Sequence, residues 1–201
     1  MTPYQQHVVE WEDCRRCPLW GGRSRVVFAR GKVPCDILFI GEAPGVSEDA
    51  LGKPFSEGAP AGGLLEEIVL AAEQAVFTGD FEEWNETALL RKCYYNVVGC
   101  YPREAKRTDD HRPPAESIRA CSPRLVQFIK IARPRLIVRV GDTAQSNIEI
   151  GHVSGLFPIP ILCDITHPAA ILRKHPVERG AVVQATVDRL SAAFERLVRE
   201  G

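Results

Sequence analysis

Short apolar segments alternate along this chain with longer segments of helical periodicity. The apolar segments are flanked by Gly or Pro and predict buried strands, at residues 36–40, 93–98, 135–140 and 159–163. Apolar residues spaced three and four positions apart predict helices at residues 8–11, 61–76, 114–132 and 177–198. Pro114 is expected to begin the third of these helices, with Glu116 in its first turn. Asp142 is the expected N-cap of a further helix after the third strand.

This alternation predicts a three-layer α/β/α fold with a central, mostly parallel, four-stranded sheet, in one domain that covers residues 1–201. In open sheets of this kind, the ligand site lies beyond the carboxyl ends of the strands. Those ends run here into the loops GEAPG, NVVGC, VGD and THP. The chemistry of the protein is therefore expected in these four loops.

The composition is that of an ordinary globular protein, with 45% hydrophobic and 25% charged residues and a net charge of −1. This charge gives no sign of nucleic acid binding, so any DNA contact would need a local basic patch. No apolar segment approaches the ~20 residues that span a bilayer. The first residues carry no signal-peptide pattern, so we expect a cytoplasmic protein with no membrane partner.

Seven cysteines in a reducing compartment indicate metal ligation rather than a disulfide framework. Cys14 and Cys17 form a CxxC pair, and Cys100 and Cys121 lie 21 positions apart. Four thiolates suit either a tetrahedral zinc or an iron–sulfur cluster, and unligated thiols packed as small apolar side chains are the third possibility. The remaining cysteines lie within or beside predicted strands, where we expect burial: Cys35, Cys93 and Cys163.

Five segments resemble the family 4 uracil-DNA glycosylases and occur in that family's order. They are CRRCPLW (14–20), GEAPGVSEDALGKPF (41–55), NVVGCYP (96–102), RPPAESIRAC (112–121) and HPAAILR (167–173). The resemblance implies a uracil-DNA glycosylase-like fold and hydrolysis of the N-glycosidic bond of uracil in DNA. It also implies a 4Fe-4S cluster on Cys14, Cys17, Cys100 and Cys121, and it gives the other three cysteines no role.

Excision of a flipped base requires a stacking surface, an amide that reads the base edge and a donor that stabilises the departing anion. Phe55, Asn96 and His167 are the candidates for these roles, in that order. Glu42 is the candidate that orients or activates the attacking water. Each has a structural alternative: a core Phe, a turn-forming Asn, a structural His and a carboxylate that caps loop amides. Two further residues are expected to line the pocket through their backbone: Ala43 and Pro44.

Basic residues cluster beside two of the predicted site loops. Arg173 and Lys174 follow the last segment, where Leu172 is a candidate wedge that enters the base stack. Phosphate contact and ordinary solvated charge are both open interpretations of these basic groups. The larger cluster lies between the third and fourth cysteines of the set: Arg103, Lys106, Arg107 and Arg112.

The chain departs from the family pattern near the expected pocket. Residues 56–63 form a longer loop than the family usually has, and residues 78–90 form an acidic segment that resembles an insertion. Gly99 and Tyr101 stand where the family usually has basic residues, which weakens one expected phosphate contact. These departures leave the preferred base open.

Three functions are compatible with these observations. The protein excises uracil from DNA, it excises another modified or damaged base, or it is a non-catalytic DNA-binding or partner-binding module that keeps the cluster for structure. The joint presence of Glu42, Phe55, Asn96 and His167 favours an enzyme. We expect it to act on DNA as a monomer, with the cluster as a structural clamp, since hydrolysis transfers no electron.

Overall fold

A central sheet carries all the loops in which the sequence places the chemistry. The computed structural model describes residues 1–56, 58–77, 90–103, 112–149, 153, 155–156 and 158–200. Within these residues the sheet has five strands, in the order β1-β3-β2-β4-β5. Their bounds are Arg30–Gly31 for β1, Ile37–Gly41 for β2, Lys92–Asn96 for β3, Leu136–Val140 for β4 and Ile161–Ile165 for β5.

The four predicted strands are present as β2 to β5, all parallel, with ends shifted by at most two residues from the prediction. Strand β1 is an addition to the predicted four-stranded sheet, and it pairs antiparallel with β3. Two residues are too few to show a periodicity, so the sequence pattern does not predict β1. The parallel core of the expected fold is confirmed.

The described residues contain seven α-helices and a 3₁₀ turn at Pro18–Gly21. The four predicted helices correspond to α1, α3, α4 and α7, and Glu116 lies in the first turn of α4 as expected. None of the described helices is both long and apolar enough to cross a membrane. The helix bounds are Pro3–Trp11, Val46–Leu51, Pro60–Val76, Ala115–Ala132, Asp142–Asn147, Pro168–Leu172 and Pro176–Arg199, for α1 to α7 in turn.

Two details at the helix ends differ from the prediction. Asp142 is the first residue of α5, and the N-cap is Gly141, whose φ of +84° suits glycine. Helix α4 begins one residue later than expected, with Pro114 as its N-cap. The acidic segment expected at residues 78–90 lies outside the described residues, apart from Leu90.

Helices cover both faces of the sheet, and side chains of the central strand alternate between the two cores. Ile37 and Phe39 of β2 pack in the core under α3 and α7. Leu38 and Ile40 pack in the second core, which α4 covers. All four side chains are fully buried, as expected for a parallel strand covered on both faces. The three-layer α/β/α arrangement is therefore confirmed.

Helix α1 is attached to the second core through a buried histidine. His7 is fully buried, and its Nε2 lies 2.8 Å from the Tyr95 hydroxyl. Its Nδ1 lies 2.8 Å from Gln127 Oε1, while Gln127 Nε2 donates to Glu10. The Gln127 oxygen can only accept, so the neutral ring donates from Nδ1 and accepts at Nε2. Burial lowers the pKa of His7 below its ordinary 6.5, and Arg124 adds to this, against opposing effects from Gln127 and Glu10.

This buried ring predicts a loss of stability in mild acid. The unfolded chain takes up a proton at His7 near pH 6.5 and the folded chain does so only at lower pH, so stability is complete above pH 6.5 and falls below it. We expect His7→Gln to reduce the decrease in melting temperature between about pH 7.5 and 5.5. The control is His175→Asn, which keeps the N-cap acceptor of α7 at an exposed position. Equal pH dependence in wild type and His7→Gln would contradict the prediction.

Candidate active site

A cavity of about 1010 Å³ opens beyond the carboxyl ends of the parallel strands. The loops after β2, β3, β4 and β5 all contribute to its wall, which is the position expected for a ligand site in an open parallel sheet. The structure brings the six candidate pocket residues together in this wall: Glu42, Ala43, Pro44, Phe55, Asn96 and His167.

Gly41, the last residue of β2, allows both the Phe55 ring and the Asn96 amide to approach the backbone at the strand end. A Cβ atom on Gly41 would lie 2.4 Å from Phe55 Cζ and 2.7 Å from Asn96 Oδ1. The Phe55 ring also contacts the core through Tyr94 and lies with its centroid 6.0 Å from that of His167. Phe55 is therefore both a core residue and part of the cavity wall.

Glu48 holds the loop that presents Phe55. Its carboxylate accepts hydrogen bonds from the backbone N–H of Gly45, at 2.5 Å, and from that of Phe55. Phe55 has a φ of +49°, which is uncommon for a residue with a side chain and needs support from its surroundings. Glu48 lies inside one of the segments quoted from the sequence, but its spacing gave no sign of this role.

Asn96 ends β3 with its side chain at the cavity and is only 3% exposed. Its Nδ2 has no hydrogen-bond partner among the described residues. A buried amide donor left without an acceptor costs about 1–3 kcal/mol. The side chain is thus available for a ligand that brings a hydrogen-bond acceptor into the cavity.

Glu42 is fixed at both its backbone and its side chain. Its carbonyl oxygen accepts from Val98 N at 2.9 Å, which extends the pairing of β2 with β3. Its carboxylate accepts a hydrogen bond from the buried Thr143 hydroxyl in α5. Thr143 is a site residue that sequence reasoning missed, although the loop before it was among the four expected to carry chemistry.

His167 is the N-cap of α6, and its Nδ1 accepts from Ala169 N at 3.1 Å. Because Nδ1 accepts, the neutral ring carries its proton on Nε2 and has a donor there. Gly141 packs directly against this residue, since a Cβ on Gly141 would lie 2.8 Å from His167 Cβ. His167 therefore has a structural role as a helix N-cap, and this role determines that Nε2 is the nitrogen that can donate.

Cationic side chains form part of the cavity lining, the cationic rim. Arg112 and Arg173 line it, together with Arg189, which the sequence did not single out. Arg112 is largely exposed and lies 3.8 Å from Asp142. The exposed Arg103 and Lys174 do not line the cavity, and Leu172, at the end of α6, is partly buried. The remaining two basic candidates lie outside the described residues: Lys106 and Arg107.

Three of the four candidate ligand cysteines belong to the second core, on the α4 side of the sheet: Cys17, Cys100 and Cys121. Cys14 lies partly exposed in the turn after α1. Arg23 Nη1 donates to Cys100 Sγ at 3.1 Å, and burial raises the pKa of this thiol to about 11 while Arg23 opposes the shift. Within the described part of the chain, no three His, Cys, Asp or Glu side chains form a group that would hold a single metal ion.

The three cysteines without a predicted role are buried, as the sequence analysis expected. Cys35 and Cys93 are 1% and 0% exposed, and Cys163 is 6% exposed. None of the seven cysteines forms a disulfide. The cysteines therefore separate by position into a set within or beside the sheet strands and a set near the N-terminal turn, the loop after β3 and α4.

Residues 28–191 match the family model of the uracil DNA glycosylase superfamily. The chain is 34% identical over 185 residues to a Type-4 uracil-DNA glycosylase of Pyrobaculum aerophilum, covering 84% of each chain. It is 31% identical over 188 residues to the Type-4 uracil-DNA glycosylase of Saccharolobus solfataricus, covering 85% of this chain and 77% of the relative. It is 30% identical to that of Thermotoga maritima, covering 92% and 91%.

The role of Glu48 can be tested by Glu48→Gln. An amide would place an N–H₂ group against one of the two backbone N–H donors, so a charged hydrogen bond is lost. We expect the free energy of unfolding in urea to fall by about 1.5–3 kcal/mol. The control is Glu67→Gln on the exposed side of α3. A Glu48 variant as stable as this control would show that the loop does not depend on the carboxylate.

Proposed function

The chain belongs to the uracil DNA glycosylase superfamily, and we propose that it hydrolyses the N-glycosidic bond of uracil in DNA and leaves an abasic site. The observation that carries this proposal is the buried Asn96 amide at the cavity wall, whose Nδ2 has no hydrogen-bond partner among the described residues and which lies near the Phe55 ring. An amide can donate to a uracil carbonyl and accept from the adjacent ring N–H. Cytosine presents the opposite pattern at that edge, so an amide held in this one orientation rejects it.

The reaction needs a flipped nucleotide, an activated water and a stabilised leaving group. In the proposed mechanism, Phe55 stacks on the base and Glu42, held by Thr143, accepts a proton from the water. The water oxygen bonds to C1′ of the sugar as the C1′–N1 bond breaks. The bonding electrons leave with uracil as its anion, and the Nε2–H donor of His167 stabilises the negative oxygen.

We propose that the cationic rim contacts the DNA phosphates on either side of the flipped nucleotide. Arg112 and Arg173 support this, because both line the cavity. The proposal extends to the neighbouring cations and to Leu172 as the wedge that fills the space left by the base. We also propose that the protein acts on DNA as a monomer. The neighbouring cations are Arg103, Lys106, Arg107 and Lys174.

We further propose that Cys14, Cys17, Cys100 and Cys121 hold a 4Fe-4S cluster, as the family resemblance implies. The fit is supported by Arg124, which is 1% exposed, interacts with the Cys121 thiol, and has two guanidinium nitrogens without a nitrogen or oxygen partner among the described residues. Ligand thiolates would supply the negative charge that such a buried cation requires. When bound, the cluster supplies a cross-link between the N-terminal turn and α4.

The activity is tested with single- and double-stranded oligonucleotides that carry uracil, hypoxanthine or hydroxymethyluracil. We expect alkali-labile abasic sites from uracil.

The roles of Glu42 and Thr143 are tested by substitution in the same assay. Glu42→Gln should lower kcat about 10²-fold or more. Thr143→Val should lower kcat about tenfold, equivalent to about 1.4 kcal/mol, and both variants should retain their affinity for DNA. The control is Thr186→Val, a buried hydroxyl on α7 that donates to Val182 O.

Each alternative function has its own signature in this assay. Near-normal turnover by Glu42→Gln would exclude its role with water, and abasic sites formed only from another base would change the substrate. The absence of abasic product from all three bases would indicate a binding module.

The cofactor proposal predicts a brown protein with about four irons per chain and a broad absorbance near ~400 nm. Cys100→Ser or Cys121→Ser should lose iron and lower the melting temperature, since metal binding contributes folding free energy. Cys163→Ser, at a buried position outside the proposed ligand set, should keep its iron. A colourless protein that holds one stoichiometric zinc would contradict the proposal.

A further inference from the structure

Arg124 lies in α4, three residues after Cys121, and its side chain is completely enclosed. Arginine is almost never fully buried unless its charge is paired. The guanidinium lies over the Tyr95 ring, with its Cζ 4.5 Å from the ring centroid. It also occupies the space beside Gly99, where a Cβ would lie 2.8 Å from Arg124 Cζ. The local sequence therefore leaves room for a guanidinium at this point.

One side of this guanidinium holds the end of β3. Nη2 donates to the carbonyl oxygens of Asn96, at 2.8 Å, and Val97, at 3.3 Å. Asn96 is the residue whose side-chain amide reaches the cavity, so Arg124 fixes its backbone from the opposite side of the strand end. Loss of these two bonds would allow the amide to move relative to Phe55.

The other side of the guanidinium faces the cysteines. Nε and Nη1 make no hydrogen bond to nitrogen or oxygen in the described part of the chain, and the guanidinium interacts with the Cys121 thiol. The Tyr95 ring and the thiol of Cys100 are its other neighbours on this side. A buried cation without an anion is strongly destabilising, whereas ligand thiolates are anionic.

We propose that Arg124 is a positioning residue that couples the four-cysteine site to the base-reading Asn96. This inference rests on the proposed function and cofactor. The charge of Arg124 is balanced by the thiolates, and its Nη2 holds the Asn96 backbone in place for the base. The state of the cysteine site thereby determines how well the pocket recognises its base.

The test uses Arg124→Lys and Arg124→Met, because they separate the charge from the planar hydrogen-bonding group. Arg124→Met removes both, and we expect it to release iron to a chelator about 10- to 100-fold faster than wild type. Arg124→Lys keeps the positive charge, so it should retain iron. It should nevertheless lower kcat/KM on uracil-containing DNA about tenfold, mainly through KM.

Arg135→Met is the matched control, because Arg135 is a partly buried arginine that donates to a backbone carbonyl, Leu197 O, away from the site. It should affect melting temperature alone. The inference is overturned if Arg124→Met keeps iron and kcat/KM as this control does. Should Arg124→Met fail to fold, Arg124→Lys decides: wild-type kcat/KM overturns the inference, and reduced kcat/KM with full iron supports it.

Failure of this inference is distinguishable from failure of the proposed function. A wild-type protein that excises uracil without holding iron overturns the role of Arg124 and leaves the activity intact. A wild-type protein that holds iron without excising any base overturns the activity, and the chelator experiment still decides whether Arg124 supports the cysteine site.

Discussion

The Phe55 ring and the Asn96 amide both approach the end of the central strand closely because Gly41 has no side chain that would displace them. The two proposed base-contacting groups depend on this close approach. Strand β2 is buried on both faces, so its last residue is fixed by the two cores, and β3 brings Asn96 into register with Gly41. Glu48 then holds Phe55 in its uncommon backbone conformation. The positions of these two side chains in the pocket therefore depend on close packing at one backbone position.

Much of the fold could be predicted from the sequence because the parallel strands are continuous apolar segments and the long helices have clear periodicity. The site was accessible where a residue directly follows a strand, as Glu42 and Asn96 do. The role of Thr143 could not be predicted, because its partner Glu42 lies 101 positions away and only the packing of α5 brings the two residues together. The local sequence pattern carries no information on such a distant pair. The N-cap of α5 is Gly141 rather than the predicted Asp142 for a similar reason. The close contact with His167, which is distant in sequence, leaves no room for a side chain at position 141.

Several residues have both a structural and a chemical role, although the sequence suggests these roles as alternatives. Phe55 is a core side chain and a cavity wall, and His167 caps a helix with one nitrogen while the other can donate. Gly99 shows a related effect. It stands where the family usually has a basic residue, and in the structure the Arg124 guanidinium, which comes from helix α4, occupies the space beside it. Positive charge is thus supplied to this region from helix α4.

The contact between Gly141 and His167 has a consequence for how the proposed catalytic groups are positioned. The turn after β4 leads directly to Thr143, which holds Glu42, and the same turn touches His167, which is proposed to stabilise the leaving group. One short piece of backbone therefore positions both the group proposed to activate the water and the group proposed to stabilise the departing base. A shift of this turn would move both groups together, so the two sides of the bond that is cleaved are not positioned independently.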